Sequence, residues 1–502
     1  MRALRILRRI GHPGQLPGCR PSSNTLLSVN TDGLKPGSSS LPQQPRERSP
    51  ANAELVRHLQ SVIAFRGGPI SVAEYMSTAI SHPTLGYYAT KESIGERSDF
   101  VTAPEVSQMP GELLGAWLLQ VWLSLGAPAR VALVELGPGK GTLLSDALRC
   151  AQQALPSFFQ SAELHLVEQS ERMRSKQRQA LGTAFVTPVN AAAHSSTSES
   201  ISESDSDLQG SGVEQGASSN FGNCSVTWHN SLATVPRGVP SLMLAHEFFD
   251  ALPVHQFEKT SRGWCERLVD TINEQSDDNE RATPSVSSPS SEENGTIDDT
   301  DSVPLRFVLS PSPTPHSRLL AAKRLRREGI LSNDDDSSDR ITQLECSPKS
   351  MTTVDSIAHR IGEAGGALLA IDYGSEFPSQ EKGFTLQAIR DHEFVPLLET
   401  AGNADLSAHV DFGALSLAAE ESKADVQCFG PVTQLHFFEQ LGIGQRADAL
   451  IRNAQTKEDA DRIRSQRKRL TDTSESDMGS QYKVWAIVSS SMPEPPGFWS
   501  ET

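Results

Sequence analysis

The stretch VELGPGKGTL, residues 134–143, decides the fold of this chain. An apolar run ends in the acid Glu135, and glycines then follow at alternate positions, Gly137, Gly139 and Gly141. Glycine adopts positive φ without strain and lets a ligand approach the backbone closely. In a doubly wound α/β sheet, a turn of this kind follows the first strand, and ligands bind beyond the carboxyl ends of the strands. The stretch therefore predicts a ligand site within an α/β fold.

The spacing of the glycines separates this turn from two common nucleotide-binding motifs. A nicotinamide or flavin fingerprint, GxGxxG, would need a glycine where the chain has Thr142. A Walker loop is excluded, because no GK[ST] follows a glycine after four spacer residues. A purely structural glycine turn stays open, since a single turn of this kind is often structural.

Apolar runs that end in polar or acidic residues recur along the chain and alternate with helical patterns. Continuous apolar strands joined by helices are typical of a parallel sheet that is covered on both faces. A further strand is predicted in QYKVWAIVSS, residues 481–490, at the sheet edge. The other strand candidates are RVALVELG (130–137), AELHLVEQ (162–169), SLMLAHE (241–247) and GALLAIDYG (366–374).

The composition indicates that part of the length does not contribute to a core. Hydrophobic residues make up 37% and aromatic residues 6% of the 502 positions, which is low for a chain of this size. Four stretches rich in serine and acids bury too little apolar area to offset their ordering entropy, so we predict disordered insertions in surface loops. They are residues 193–220, 273–302, 333–339 and 472–477.

Charge and cysteine content exclude several classes of protein. The net charge of −17 argues against a general nucleic-acid binder, which needs a basic surface to displace counterions. The six cysteines are scattered with no CxxC pair, so neither a zinc ribbon nor a disulfide framework is indicated, and no metal is predicted. No apolar run approaches the roughly 20 residues of a membrane-spanning helix.

The amino-terminal sequence differs from the rest of this acidic chain. Five arginines precede the first acid, Asp32, which is typical of a mitochondrial transit peptide, although a disordered basic tail is the alternative. We therefore divide the chain into a transit peptide and lead (1–50), an N-terminal helical cap region (51–128) and a main domain (129–490) that carries the insertions.

The arrangement E-x-G-x-G-x-G resembles motif I of class I S-adenosylmethionine-dependent methyltransferases. The resemblance implies a Rossmann-like fold with a mostly parallel seven-stranded sheet, helices on both faces and a helical cap. It also implies that Glu135 acts near the cofactor's ammonium group. Glu168 ends the second strand, where an acid can accept hydrogen bonds from both ribose hydroxyls. His229 and Asn230 end the third strand and are candidates to reach the adenine ring, with polar turn residues as the structural alternative.

A sharper resemblance extends over most of the chain outside the insertions. Seven ordered blocks resemble the mitochondrial complex I assembly factor family, whose members are S-adenosylmethionine-dependent protein arginine methyltransferases. The resemblance implies symmetric dimethylation, in the mitochondrial matrix, of an arginine in a core 49 kDa-type subunit of NADH:ubiquinone oxidoreductase. The acidic insertions depart from the family pattern. The blocks lie at residues 68–89, 98–117, 134–149, 244–257, 372–374, 404–412 and 430–443.

Arginine methylation needs carboxylates near the cofactor, because they grip the guanidinium bidentately and orient one nitrogen. The motif HEFFD after the fourth strand offers Glu247 and Asp250 as catalytic candidates. Glu105, in TAPEVSQ, is another candidate, with a helix N-terminal acid as its structural alternative. A thermolysin-type zinc site is excluded, because Asp250 stands where HExxH needs histidine. A cofactor-binding assembly scaffold and an NAD-dependent dehydrogenase are the alternatives to a methyltransferase.

Overall fold

The computed structural model describes most of the chain between its ends. The described residues are 52–90, 102–182, 213–218, 224–272, 305–327, 341–376, 383–474 and 477–499. The predicted transit peptide and the predicted insertions at 273–302 and 333–339 lie outside them.

The described helices alternate with strands through most of the chain. In chain order they are α1 (Ala53–Arg66), α2 (Val72–Ser81), α3 (Tyr87–Thr90), α4 (Ala103–Val106), α5 (Met109–Ser124), α6 (Thr142–Ala154), α7 (Glu171–Ala180), α8 (Ala322–Arg327), α9 (Pro348–Ala364), α10 (Phe412–Glu421), α11 (Gln434–Gln440), α12 (Ile443–Arg452), α13 (Lys457–Thr471) and α14 (Met478–Gln481). A π-helical turn, Ser317–Ala321, directly precedes α8.

The described strands form three sheets. In chain order they are β1 (Ile70–Ser71), β2 (Val131–Leu136), β3 (Ala162–Val167), β4 (Val213–Ser218), β5 (Ser225–His229), β6 (Ser241–His246), β7 (His255–Thr260), β8 (Gly263–Thr271), β9 (Leu305–Leu309), β10 (Gln343–Cys346), β11 (Gly366–Ser375), β12 (Gln387–Arg390), β13 (Glu393–Val395), β14 (Asp405–Ser407), β15 (Val410–Asp411), β16 (Val426–Thr433) and β17 (Tyr482–Ser489).

The large sheet has nine described strands in the order β16-β17-β11-β6-β2-β3-β5-β4, with β15 paired to β11. The neighbours β11, β6, β2, β3 and β5 are parallel, whereas β17 and β4 run antiparallel to the strands beside them. The chain order reverses between β2 and β6, and ligands of α/β sheets bind at such a switch point. The α/β class is as predicted.

The predicted sheet of seven mostly parallel strands is corrected to this mixed, nine-stranded sheet. Part of the difference is β15, which has only two residues and therefore no apolar run to reveal it. Residues 481–490 were predicted at the edge, but β17 lies between β11 and β16. Apolar side chains on both faces of β17 explain its interior place, since Val484 and Trp485 belong to cores on opposite sides of the sheet.

Helices cover both faces of the large sheet because the central strands are apolar on both sides. In β2, Leu133 belongs to the core that contains α5 and α6. Its neighbours Ala132 and Val134 belong to the opposite core, which contains α9 and α10. The alternation follows from the two-residue period of a strand. Because helices cover both faces, the carboxyl ends of the strands remain as the accessible edge of the sheet.

Two glycines of α5 bring this helix directly against α6. A Cβ atom at Gly115 would lie 2.3 Å from the carbonyl oxygen of Ala147, and one at Gly111 would lie 2.5 Å from the Cβ of Asp146. Only glycine permits this approach. Thus α5, which the predicted division assigns to the cap region 51–128, packs within the main core and holds α6 and the glycine turn in place.

A second core joins the N-terminal helices to segments that come much later in the chain. Buried residues of α1 and α2, such as Leu59 and Met76, pack with Val269 of β8 and with Ala388 and Leu406 of β12 and β14. The two smaller sheets contribute here: one has the order β1-β8-β7-β10 with β9 paired to β8, and the other has the order β13-β12-β14. The cap over the main domain is therefore built from both helices and strands.

The structure describes parts of two of the predicted insertions. Residues 213–218, within the range 193–220, form β4 and pair antiparallel with β5. Composition does not reveal this strand, because its ladder uses backbone groups that every residue except proline carries. In the range 472–477, Asp472 accepts a hydrogen bond from the backbone N–H of Ser474, and its carbonyl accepts one from Gly479, so the described residues there form a turn between α13 and α14.

Candidate functional site

A cavity of about 1140 Å³ opens at the carboxyl ends of β2, β3 and β6, beside the switch point of the sheet. It brings together nearly all the residues that the sequence singled out, although they come from five separate segments. The predicted residues that line it are Glu105, Glu135, Gly137, Gly139, Glu168, Asn230, Glu247 and Asp250. Gly141 is not among the lining residues.

The three glycines of the turn all have positive φ, at +62°, +52° and +81° for Gly137, Gly139 and Gly141. A Cβ atom at Gly139 would meet nothing within 4 Å, because this residue faces the open cavity. A Cβ atom at Gly137 would lie 3.0 Å from the ring of Phe248. Gly141 instead precedes α6 and packs against Gln177 of α7. The turn thus offers bare backbone to a ligand at Gly139 and close packing at Gly141.

Glu135 is the buried acid at the end of β2. Its Oε2 atom has no hydrogen-bond partner among the described residues. Burial raises the pKa of this carboxyl to about 8. A buried carboxylate oxygen without a partner costs free energy unless a ligand supplies a donor. Together with the open space at Gly139, this atom fits the amino-acid end of S-adenosylmethionine, whose ammonium group is a donor.

Glu168 lies in the cavity wall just after β3 and is partly held by the protein itself. Its Oε1 accepts a hydrogen bond from the backbone N–H of Ser170 at 2.8 Å, and its Oε2 accepts one from Gln177 at 3.3 Å. Burial raises the pKa of the Glu168 carboxyl. The carboxylate is therefore held in a fixed orientation at the cavity wall.

Gln177 is a site residue that sequence reasoning missed. Its side-chain nitrogen also donates to the carbonyl of Gly139 at 2.8 Å, and its oxygen accepts from the indole N–H of Trp228 at 2.9 Å. It therefore links the glycine turn to Glu168 and to β5. The sequence carries no signal for this role. Gln177 lies in a polar helical run whose composition is typical of a solvent-exposed helix, ERMRSKQRQA.

The two residues at the end of β5 face different ways. Asn230 lines the cavity, and its side-chain oxygen accepts a hydrogen bond from Arg174. His229 does not line the cavity: its Nε2 lies 3.0 Å from Nδ1 of His165, and its Nδ1 lies 3.0 Å from the hydroxyl of Thr234. The expectation that His229 reaches the ligand is corrected, because the pleat of β5 directs this ring into the sheet interior.

Glu247 follows β6 directly and has a φ of +50°, which is uncommon for a residue with a side chain. Its backbone N–H donates to the carbonyl of Ile371 at 2.9 Å, and its Oε1 accepts from the N–H of Ala103 at 3.4 Å. Burial, followed by the charge of Asp372, raises the pKa of the Glu247 carboxyl well above its ordinary value. Strained backbone of this kind often occurs at functional sites.

Four carboxyl groups, Glu247, Asp250, Asp372 and Asp405, form what we call the acid cluster. Burial and then the charges of the other three raise the pKa of Asp250, and burial raises that of Asp372 to about 7. Asp405 lines the cavity and accepts a hydrogen bond from the hydroxyl of Tyr88 at 3.4 Å. Acids that raise one another's pKa values attract a cation, which relieves their repulsion.

Asp372 and Asp405 are members of the acid cluster that were not singled out as site residues, although both lie in the blocks that carry the family resemblance. They come from the end of β11 and from β14, far apart in sequence. Only the fold brings them to Glu247.

Glu105, the other catalytic candidate, lies in α4 and forms an ion pair with Lys140 of the glycine turn. Both residues line the cavity. The pair connects the segment before α5 to the turn and places Glu105 on the glycine-turn side of the cavity. Its carboxylate is already engaged with a cation of the protein.

Within the part of the chain that the structure describes, no helix combines the length and the apolar character needed to cross a membrane.

The chain is similar to proteins of known class. A family model described as "Putative S-adenosyl-L-methionine-dependent methyltransferase" matches residues 113–432. A zebrafish (Danio rerio) relative, named "Protein arginine methyltransferase NDUFAF7, mitochondrial", is 35% identical over 405 residues, which cover 80% of each chain. A human (Homo sapiens) relative of the same name is 33% identical over 399 residues, which cover 79% of this chain and 75% of the relative.

Two crystal structures of proteins from Burkholderia thailandensis resemble the fold. One has a TM-score of 0.60 and 23% identity. The other, bound to S-adenosyl-homocysteine, has a TM-score of 0.61 and 24% identity. In both cases the match covers 89% of this chain and 95% of the neighbour. At this level of identity the likeness concerns the fold alone.

Proposed function

Because this chain belongs to the S-adenosyl-L-methionine-dependent methyltransferase family whose model it matches, we propose that it is a protein arginine N-methyltransferase. S-adenosyl-L-methionine is its cofactor. The names of the relatives at 33% and 35% identity support arginine as the methylated residue. We further propose symmetric dimethylation, in the mitochondrial matrix, of a core 49 kDa-type subunit of NADH:ubiquinone oxidoreductase, as the family resemblance implies.

The observation that carries the proposal is the acid cluster in the same cavity as the glycine turn. Glu247 and Asp250 line the cavity with Gly137 and Gly139. A guanidinium group is planar, always charged and able to donate two parallel hydrogen bonds to one carboxylate. The buried, mutually repelling acids suit such a cation better than a neutral substrate.

The cavity residues divide into a cofactor side and a substrate side. Glu135, Gly139 and Glu168 lie beside the turn and would hold the cofactor, which when bound supplies an electrophilic methyl group on its sulfonium. Positioning is the main contribution to an in-line transfer of this kind.

On the substrate side, Glu247 and Asp250 would orient the guanidinium so that one nitrogen faces the cofactor side. Concentrating positive charge on the nitrogens that the carboxylates bind leaves the remaining nitrogen more nucleophilic. The raised pKa of Glu247 also makes its carboxylate a stronger base than an ordinary glutamate, which suits it to take the proton that this nitrogen loses. Glu105, held by Lys140, is the alternative base.

The proposal is tested by incubating the purified chain with S-adenosylmethionine and the isolated complex I core subunits, followed by mass spectrometry of their arginines. We expect a symmetrically dimethylated arginine in the 49 kDa-type subunit, and no modification with the variant Gly139→Val. Methylation of a residue other than arginine would overturn the arginine assignment. Unmodified subunits, with cofactor binding intact, would favour an assembly scaffold instead.

A further inference from the structure

A second group of side chains that can bind a ligand lies on the cap, apart from the residues of the acid cluster. His255 at the start of β7, Glu266 in β8 and His316, just before the π-helical turn, each offer one ligand atom, and these atoms all lie within 4.8 Å of one another. None of the three lines the cavity of the candidate methyltransferase site.

Glu266 is the centre of this group. It is only 2% exposed, yet both oxygens face potential ligands: Oε1 lies 2.7 Å from Nδ1 of His255, and Oε2 lies 3.6 Å from Nδ1 of His316. The hydroxyl of Thr314 donates to Oε2 at 2.5 Å and orients the carboxylate. This is the arrangement in which a neighbouring polar group fixes a metal-binding carboxylate.

The ligand chemistry favours zinc over the alkaline-earth ions. Two imidazoles with one carboxylate are the protein ligands of a four-coordinate zinc site that keeps one position for water, whereas Mg²⁺ and Ca²⁺ prefer oxygen ligands throughout. Zinc bonds of about 2.0 to 2.1 Å in a tetrahedron separate the ligand atoms by roughly 3.3 Å. Oε1 of Glu266 lies 2.7 Å from His255 and its other oxygen, Oε2, lies 3.6 Å from His316. One ligand atom from each of the three residues lies within 4.8 Å of the other two, so side-chain rotations are needed to bring the three atoms to the zinc spacing.

We propose that His255, Glu266 and His316 bind one Zn²⁺ ion and that this ion fastens the segment after β9 to the hairpin of β7 and β8. Glu266 and His316 are separated in sequence by the acidic stretch 273–302. The β8–β9 ladder already closes this loop, and the metal adds a second link between its two sides. His316 is 59% exposed in its side chain, which gives the ion a route from solvent. No spacing motif announces this site, because its ligands come from three segments.

The test is calorimetric titration of the metal-free full-length chain with Zn²⁺. We expect one high-affinity site per chain and a higher midpoint of thermal unfolding with zinc, because an ion that binds only the folded state stabilises it. The variant His316→Asn should weaken zinc binding at least about a hundredfold, since even groups that only orient a ligand are worth tenfold to a hundredfold in affinity. Glu266→Gln should have the same effect.

The matched control is His392→Asn, at another exposed histidine, where asparagine also tolerates the left-handed φ of +64°. It should bind zinc like the wild type. The absence of zinc binding in the wild type, or equal affinity in the wild type and His316→Asn, would overturn the proposal. His316→Asn decides the matter if Glu266→Gln does not fold. The readout is metal binding, so the outcome does not depend on methyl transfer.

Discussion

Asp372, near the end of β11, accepts a hydrogen bond at 2.9 Å from the backbone N–H of Phe249, which lies in the turn after β6. Its same oxygen also accepts one from Phe248 at 3.1 Å. A carboxyl group of β11 thereby fixes the turn that follows its parallel neighbour β6. Because Glu247 begins that turn with positive φ, Asp372 holds the backbone from which the proposed catalytic side chain extends.

Removing this acceptor should destabilise the protein. Asp372→Ala removes the acceptor of three backbone N–H groups, those of Phe248, Phe249 and Tyr373, so we expect the free energy of unfolding to fall by about 2 to 4 kcal/mol. Asp372→Asn keeps a carbonyl oxygen as acceptor and should lose only about 1 kcal/mol. Urea unfolding of both variants measures the difference. Equal losses would show that the hydrogen bonds to Phe248 and Phe249 contribute little.

The pKa of Glu135 predicts a pH dependence of cofactor binding. In the free protein this carboxyl has a pKa of about 8 and holds its proton at lower pH. It must release that proton before it can pair with an ammonium group. S-adenosylhomocysteine affinity should therefore rise from about pH 6 to about pH 8, by at most about tenfold per unit, and then level off. Glu135→Gln should bind more weakly and with a flat profile. Calorimetry that finds the same slope in both proteins would assign the titration to another group.

Gly139→Val should abolish S-adenosylmethionine binding while leaving the fold intact. The added side chain would occupy open cavity space and carry the strain of positive φ. Gly126→Val is the matched control, because Gly126 also has positive φ and open surroundings but does not line the cavity. Both variants should lose a similar amount of stability, and only Gly139→Val should lose binding. Unchanged affinity in Gly139→Val would rule out this cofactor site.

Glu247→Gln should keep cofactor affinity within a few-fold, while single-turnover methylation falls on the order of a hundredfold, which corresponds to about 2 to 3 kcal/mol. Asp250→Asn is expected to be milder, since Glu247 and Asp405 of the acid cluster also line the cavity and would still attract the substrate cation. Radiolabelled cofactor and a partner subunit give the rate. A wild-type rate in Glu247→Gln would move the catalytic assignment to Glu105, and lost cofactor binding would place Glu247 against the cofactor.

The acidic insertions give a prediction about stability. Deleting residues 193–210 and 273–302 should leave the thermal midpoint and cofactor affinity nearly unchanged, because their composition adds little to a core. Extending the first deletion through 218 removes β4 and should lower the midpoint, because β5 loses its partner strand. Calorimetric unfolding compares the two deletion variants. Loss of cooperative unfolding in the shorter deletion would mean that residues 193–210 also pack against the domain.

The sequence alone determined the α/β class and the central strands, and it singled out most of the residues on the proposed cofactor side of the candidate site. These features are local. An apolar run predicts a buried strand, and Glu135 with Gly137, Gly139 and Gly141 forms one turn, in which the glycines indicate positive φ. Glu168 was also predictable, because the carboxyl ends of parallel strands meet at one edge of the sheet.

Only the tertiary structure decided which acids surround Glu247 and which helices form the cap. Asp372 and Asp405 come from strands far apart in the chain, and nothing in their own neighbourhoods states that they meet. Gln177 lies in a polar helix whose solvated appearance hides a buried amide. The mixed sheet and the packing of α5 against α6 likewise depend on pairings between distant segments, since backbone hydrogen bonds and close helix contacts carry no periodic signal in a single segment.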